Sequence, residues 1–298
     1  MTSPRGSALS ALARWPLLLL PALLTACTSL GAGVLERLGR SQTVESSTGI
    51  PYGDDPAQAY DLFAERGLAD DAPLIVFFHG GSWDSGSPGL YAFAGQSLAA
   101  LGTITALPGY RLAPDVTFPA FVEDGAAAVA AVKARYPGHP LYLAGHSAGA
   151  QIAALLALDP RWLGAEGLSP CRDVAGFIGL AGPYDFLPLQ QDRYRRIFPE
   201  ETRAESQPVN YAAGAHPPAL ILHGEADDVV SPAESEALAG ALEAGGNAVT
   251  LRLYPEVGHV GIASALAPIL RGRAPVIEDV RAFLAAPQAG CGRSPVSR

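Results

Sequence analysis

Residues Gly145-His146-Ser147-Ala148-Gly149 set a serine between two glycines, directly after the apolar run Leu141–Ala144 and directly before the helical stretch Ala148–Leu158. In that context G-x-S-x-G reads as a tight strand-to-helix turn that exposes the serine hydroxyl. Glycines two before and two after the serine keep strand and helix from clashing there. The helix N-terminus favours developing negative charge, and the backbone N–H of Ala148 is placed to meet a substrate oxyanion. Such a hydroxyl is a poor nucleophile until a histidine takes its proton and a carboxylate orients that histidine.

The other parts of this chemistry can be sought along the chain. His79-Gly80-Gly81-Ser82-Trp83 follows the apolar run Leu74–Phe78. Two glycines let the main chain approach a reacting carbonyl, and the amides of Gly81 and Ser82, with that of Ala148, are candidate oxyanion donors. His79 itself reads as a loop-stabilising residue. Histidines occur at 79, 139, 146, 216, 223 and 259. With the order serine, acid, histidine expected after this kind of turn, only 216, 223 and 259 follow the serine. His216 precedes Pro217-Pro218 and His223 ends the run Ala219–Leu222. His259 lies in the loop beyond the run Val249–Tyr254, where a base belongs. The stretch His223-Gly224-Glu225-Ala226-Asp227-Asp228-Val229-Val230 offers three carboxylates, Glu225, Asp227 and Asp228.

Elements able to hold these residues recur in alternation. Short apolar runs at Leu74–Phe78, Thr103–Ala106, Leu141–Ala144, Ala175–Leu180, Ala219–Leu222 and Val249–Tyr254 read as strands. Helical stretches at Phe121–Arg135, Ala148–Leu158, Pro232–Ala244 and Val276–Ala285 lie between and after them. Continuous apolar strands separated by helices predict a mostly parallel sheet with helices on both faces, an α/β fold. One polar segment, Tyr184–Ala213, breaks the pattern and reads as a short cap over the C-terminal edge of the sheet, or as a solvated loop.

Four stretches in order, HGGSW at 79–83, GHSAG at 145–149, HGEADDVV at 223–230 and EVGH at 256–259, resemble the α/β-hydrolase superfamily, in its esterase/lipase branch. Most similar in pattern are BD-FAE-like carboxylesterases and kynurenine-formamidase-like hydrolases with HGGxW. Tyr52-Gly53-Asp54-Asp55, Tyr60-Asp61-Leu62 and Tyr110-Arg111-Leu112-Ala113-Pro114 also look familiar, and the resemblance spans roughly residues 50–286. It implies the α/β-hydrolase fold, and hydrolysis of an ester or amide with no metal and no cofactor. HG-x-x-D-x-x-V selects Asp227, giving Ser147, Asp227 and His259 as catalytic residues. Ser82 stands where the family often has a third glycine, and no large apolar lid is evident, which argues against a long-chain lipase. Trp83, Tyr184, Phe186 and Phe198 are candidates for an acyl or aryl pocket. The expected function is a serine carboxylesterase acting on small esters with short-chain or aryl acyl groups. An arylformamidase-like amide hydrolase is the alternative, and an inactive hydrolase fold serving as an envelope binding module is the reading of another class.

Composition bounds the rest. With 49% hydrophobic and 16% charged residues in 298, the chain is not of the disordered class. A formal charge of −9 argues against nucleic-acid binding. Near the start, Arg5 and Arg14 flank Trp15–Ala26, an apolar run too short for a comfortable bilayer span. It ends in Leu24-Thr25-Ala26-Cys27, which resembles a bacterial lipobox with Cys27 as the lipidated residue. Residues 1–26 are then a signal peptide, and their loss deepens the charge to −11, because two arginines leave. The mature protein is expected in the cell envelope, membrane-held through Cys27 and facing the periplasm, at the outer rather than the inner membrane because Thr28 follows the cysteine. Residues 27–50, rich in Ser, Thr and Gly, read as a tether, 51–287 as the hydrolase domain and 288–298 as a tail. Past the tether the compartment is oxidising, so Cys171 and Cys291 are candidates for a disulfide.

Overall fold

The computed structural model describes residues 43–287 and 290–292. Its centre is an eight-stranded sheet in the order β1-β2-β4-β3-β5-β6-β7-β8. The strands are β1 (Val44–Pro51), β2 (Ala59–Glu65), β3 (Leu74–Phe78), β4 (Ile104–Pro108), β5 (Leu141–His146), β6 (Val174–Leu180), β7 (Ala219–Gly224) and β8 (Val249–Tyr254). β1 and β2 run antiparallel to their neighbours, and β3 to β8 are parallel. This is the α/β fold expected from the alternation.

Burial explains why these runs became strands. Every residue of β3 and β5 is buried, and the pleat divides them between two cores. Leu74, Val76 and Phe78 join Leu141, Leu143 and Ile221 on one face. Ile75 and Phe77 join Tyr142, Ala144 and Leu222 on the other. Each Leu, Ile, Val or Phe among them contributes about 1.5–3 kcal/mol by leaving water. Helices cover both faces: α1 (Ala92–Ala99), α2 (Ala120–Arg135), α3 (Ala148–Leu158), α4 (Pro160–Ala165), α5 (Pro170–Asp173), α6 (Asp192–Ile197), α7 (Pro232–Ala244), α8 (His259–Ser264) and α9 (Val276–Ala285). All eleven residues of α3 are buried, as an all-round apolar helix must be. α7 starts where Ser231 caps the amide of Ala233 and Pro232 takes the first helical position.

Two expectations about boundaries change. Residues 44–51, most of them expected within the tether, pair with β2 as strand β1, so the folded body begins earlier than 51. The physical reason is that an edge strand with mostly exposed residues needs no apolar alternation; backbone pairing to β2 is enough. The polar segment 184–213 is a built structure. It contains α6 and two short 3-10 turns and buries Tyr184, Leu189, Ile197 and Phe198. Cys171, at the start of α5, is bonded to Cys291 across a sequence separation of 120. Cys27 and the signal segment lie outside the described residues.

Candidate active site

The parallel strands end on one side of the sheet, where α/β folds place their sites. Ser147 follows β5 with φ 54 and ψ −125, a strained conformation for a residue other than glycine. The flanking glycines show what the turn demands. A Cβ on Gly145 would fall 2.3 Å from the carbonyl oxygen of Gly149, and one on Gly149 would fall 2.2 Å from that of Phe78.

Three sequence-predicted residues meet here. His259, first residue of α8, has Nε2 2.8 Å from Ser147 Oγ and Nδ1 2.8 Å from Asp227 Oδ2. The carboxylate can only accept, so Nδ1 carries the proton and Nε2 is free to accept from the serine hydroxyl. Asp227 is buried, and its Oδ1 accepts from the amides of Val229 and Val230, both at 2.9 Å. A second histidine, His223, approaches Asp227 Oδ2 at 3.2 Å. Its Nε2 also faces the carbonyl of Val230 at 3.0 Å, and its Nδ1 lies 2.7 Å from Ser235 Oγ. Nε2 therefore carries the proton and Ser235 donates to Nδ1. Burial works against charge on Asp227, but hydrogen bonds from His223, His259, Val230 and Val229 outweigh it. They hold the carboxyl well below the usual carboxylate range. The rival carboxylates Glu225 and Asp228 are exposed.

The HGG loop after β3 lies beside this group. Gly81 has φ 135, and a Cβ there would meet the carbonyl of Ser85 at 2.1 Å. Ser82 and Trp83 have φ 53 and 61, so the serine replacing a third glycine still adopts the left-handed backbone that glycine takes most freely. His79 is buried with Nδ1 2.8 Å from the carbonyl of Gly80, and it stacks on Tyr110 at 4.3 Å. Burial pulls its imidazole down to about 4, which suits a neutral scaffold residue. The Tyr110-Arg111 segment clamps the loop from behind. Tyr110 donates to the carbonyl of His79 at 2.8 Å, and Arg111 pairs with buried Asp124 at 2.7 Å.

Ser147 and Ser82 open into a cavity of about 230 Å³ with a mixed wall. Trp83, Phe186, Leu189, Tyr194 and Val230 supply apolar surface, and Glu234 supplies a carboxylate. Of the four aromatic candidates, Trp83 and Phe186 reach the cavity. Tyr184 and Phe198 are fully buried and lie outside its lining. Tyr194, Leu189 and Glu234 were not singled out by sequence. The cap segment contributes Phe186, Leu189 and Tyr194, so it forms one wall of the cavity. Ala148 opens α3, where its N–H has no intrahelical partner.

Comparison with known proteins identifies the family. Residues 60–242 match the BD-FAE family. The chain belongs to that family. Among curated relatives, a probable isoprenylcysteine alpha-carbonyl methylesterase, ICMEL1, of Oryza sativa subsp. japonica is 30% identical over 258 residues, covering 78% of this chain and 60% of that protein. A kynurenine formamidase of Salmo salar is 30% identical over 163 residues, covering 54% of this chain and 53% of the relative. The chain thus spans about 60% of the length of the plant relatives it matches. Among solved structures, esterase B from Lactobacillus rhamnosis superposes with a TM-score of 0.73 at 20% identity, covering 89% of this chain and 95% of that one. The fold of this BD-FAE member is accordingly that of the α/β-hydrolases.

Proposed function

We propose that this BD-FAE member is a serine carboxylesterase for small esters with short-chain or aryl acyl groups. The observation that carries the reading is the unbroken run of hydrogen bonds from Ser147 Oγ through His259 to Asp227 at the mouth of a cavity. Ser147 Oγ attacks the ester carbonyl as His259 Nε2 takes its proton. The tetrahedral oxyanion is held by the amides of Gly81, Ser82 and Ala148. His259 then returns the proton to the leaving alcohol, which departs and leaves an acyl-serine. Water, deprotonated by the same imidazole, releases the acid and restores the serine. Losing one oxyanion donor of this kind costs roughly 10²–10³ in kcat.

The acyl range follows from the cavity. Each added methylene that is buried gains about 0.8 kcal/mol, close to fourfold in kcat/KM, until the roughly 230 Å³ is filled. A series of p-nitrophenyl esters from acetate to palmitate, with Ser147→Ala as control, tests this. The expected profile rises over the first members and falls by the long chains. A maximum at palmitate, or equal turnover by Ser147→Ala, would overturn it. The second outcome would revive the inactive binding module. Similarity to kynurenine formamidases supports a second reading, amide hydrolysis through the same residues. N-formyl aromatic amines run beside the ester series separate the two.

The same proposal puts the enzyme in the bacterial cell envelope, held by acyl chains on Cys27. The Leu24-Thr25-Ala26-Cys27 stretch supports it, and the Cys171–Cys291 bond fits an oxidising compartment. Intact-mass measurement of the membrane-extracted protein, with Cys27→Ala as control, tests the anchor.

A further inference from the structure

The residue between Gly145 and the nucleophile is a histidine that the proposed mechanism does not use. His146 is buried, 4% exposed. Its Nε2 lies 3.0 Å from the backbone carbonyl oxygen of His259, and its Nδ1 lies 2.7 Å from the hydroxyl of Tyr91. A carbonyl can only accept, so Nε2 carries the proton. In a neutral ring Nδ1 must then accept, and the Tyr91 O–H donates to it. Burial pushes the Tyr91 phenol up to about 12, and burial aided by nearby His259 pulls His146 down to about 3. Both groups keep the protonation that this direction of donation requires.

The three groups therefore form one polarised chain, Tyr91 O–H to His146 Nε2–H to the carbonyl of His259. Donors aligned in this way strengthen one another. The chain crosses three separate connections: the one after β3 that carries the HGG loop and Tyr91, the nucleophile turn after β5, and the start of α8 after β8. These are the connections that carry the oxyanion donors, the nucleophile and the base. They are 113 residues apart between His146 and His259 and 55 between Tyr91 and His146, so local sequence does not hold them in register. Their rings are also in contact, with His146 and His259 centroids 4.7 Å apart. A close approach at the other end fixes the loop: a Cβ on Gly80 would lie 2.8 Å from the Tyr91 hydroxyl and 3.1 Å from His146 Nδ1.

We propose that the Tyr91–His146 pair is a positioning unit for the base, tying the oxyanion loop and the nucleophile turn to the backbone of His259 and so aiming its imidazole at Ser147. The inference rests on the serine-hydrolase reading above. It assigns the variable position of this G-x-S-x-G a purpose: a ring with a donor on its far nitrogen and an acceptor on its near one. Glutamine can place an amide N–H at the Nε2 position, whereas leucine keeps bulk and removes both polar atoms.

The test compares His146→Leu, His146→Gln and Tyr91→Phe with wild type, using p-nitrophenyl butyrate kinetics, the rate of fluorophosphonate labelling and thermal melting. A misplacement of about 1 Å costs on the order of 10²-fold. His146→Leu is accordingly expected to lose about 10²-fold in kcat and in labelling rate, with KM within about twofold. His146→Gln should recover most of that loss, and Tyr91→Phe should fall between them. A folded His146→Leu with kcat near wild type would overturn the proposal, as would equal losses in Leu and Gln. Should His146→Leu fail to fold, Tyr91→Phe and His146→Gln decide: unchanged kcat in Tyr91→Phe overturns the unit, while a kcat loss at constant KM with retention in Gln supports it. A wild-type chain that neither turns over nor labels would overturn the hydrolase reading, and this inference with it. Active wild type with an indifferent Leu variant overturns this inference alone.

Discussion

Replacing Asp227 by asparagine is a nearly isosteric change with a large expected effect. Four donors converge on this carboxylate: the amides of Val229 and Val230 at Oδ1, and His259 Nδ1 and His223 Nε2 at Oδ2. Asparagine has one oxygen. The two backbone amides cannot turn away, so they select the side-chain oxygen for the Oδ1 position. The NH₂ group then faces both imidazoles. His223 keeps its Nε2 proton because the carbonyl of Val230 lies 3.0 Å away, so donor meets donor there. His259 can relieve the conflict only by accepting at Nδ1, which moves its proton to Nε2, the atom 2.8 Å from Ser147 Oγ. A protonated Nε2 cannot take the serine proton. The wrong tautomer costs about 10⁴ in kcat, or about 5 kcal/mol of transition-state stabilisation. Ground-state contacts are untouched, so KM should stay within about twofold. Steady-state kinetics on p-nitrophenyl butyrate measure both. Asp228→Asn and Glu225→Gln serve as controls, expected near wild type because both carboxylates are exposed. An Asp227→Asn enzyme retaining more than about a tenth of kcat, or a collapse confined to Asp228→Asn, would refute the tautomer argument.

Three further outcomes can be checked on the purified protein. Gly149→Ala puts a Cβ 2.2 Å from a backbone carbonyl that cannot yield; a loss of at least about 1–3 kcal/mol in denaturant unfolding is expected, against little change at Gly138, where a Cβ meets nothing within 4 Å. Cys171→Ser opens a link of sequence separation 120, and should lower unfolding free energy by about 2–4 kcal/mol under non-reducing conditions, with no difference from wild type once reductant is added. The third concerns acid. Burial holds His79 at about 4 and His146 at about 3 in the folded chain, against an ordinary value near 6.5. From about pH 6.5 down to about pH 4 the unfolded chain binds protons that these two rings refuse. Stability therefore falls as pH falls through that window, by up to about 1.4 kcal/mol per pH unit for each ring. His146→Gln should remove one ring's share of the slope, and an unchanged slope in denaturant titrations at pH 6, 5 and 4 would count against it.

How much of this was readable from sequence depends on whether the determinant is local. Ser147 stands out because its turn needs glycine at 145 and 149 and a strand and helix on either side, all within a dozen residues. β3, β5 and β7 are legible because a strand covered on both faces must be continuously apolar. β1 is not, since a mostly exposed edge strand carries no periodic signal and its Ser and Thr mimic a linker. Three carboxylates in HGEADDVV are equivalent by composition. The resemblance to HG-x-x-D-x-x-V selects Asp227, and the fold supplies the physical reason: Asp227 is buried and gripped by four donors while its neighbours are exposed. The aromatic candidates fared according to the same logic. Trp83 and Phe186 face the cavity while Tyr184 and Phe198 turn into the core, because orientation in an irregular segment follows long-range packing. His146 and His223 illustrate the limit most clearly: each sits in a recognisable motif, but its partners, Tyr91 and Ser235, are set by tertiary structure.

Everything proposed for this site depends on Ser147 being a nucleophile activated by His259. The most direct measurement is mass spectrometry of the folded protein after treatment with a fluorophosphonate, with peptide mapping of the adduct. One adduct per chain is expected, on the peptide that contains Ser147, and its loss in His259→Ala. Ester turnover with Ser147 unlabelled, or an adduct that forms as readily without His259, would contradict it.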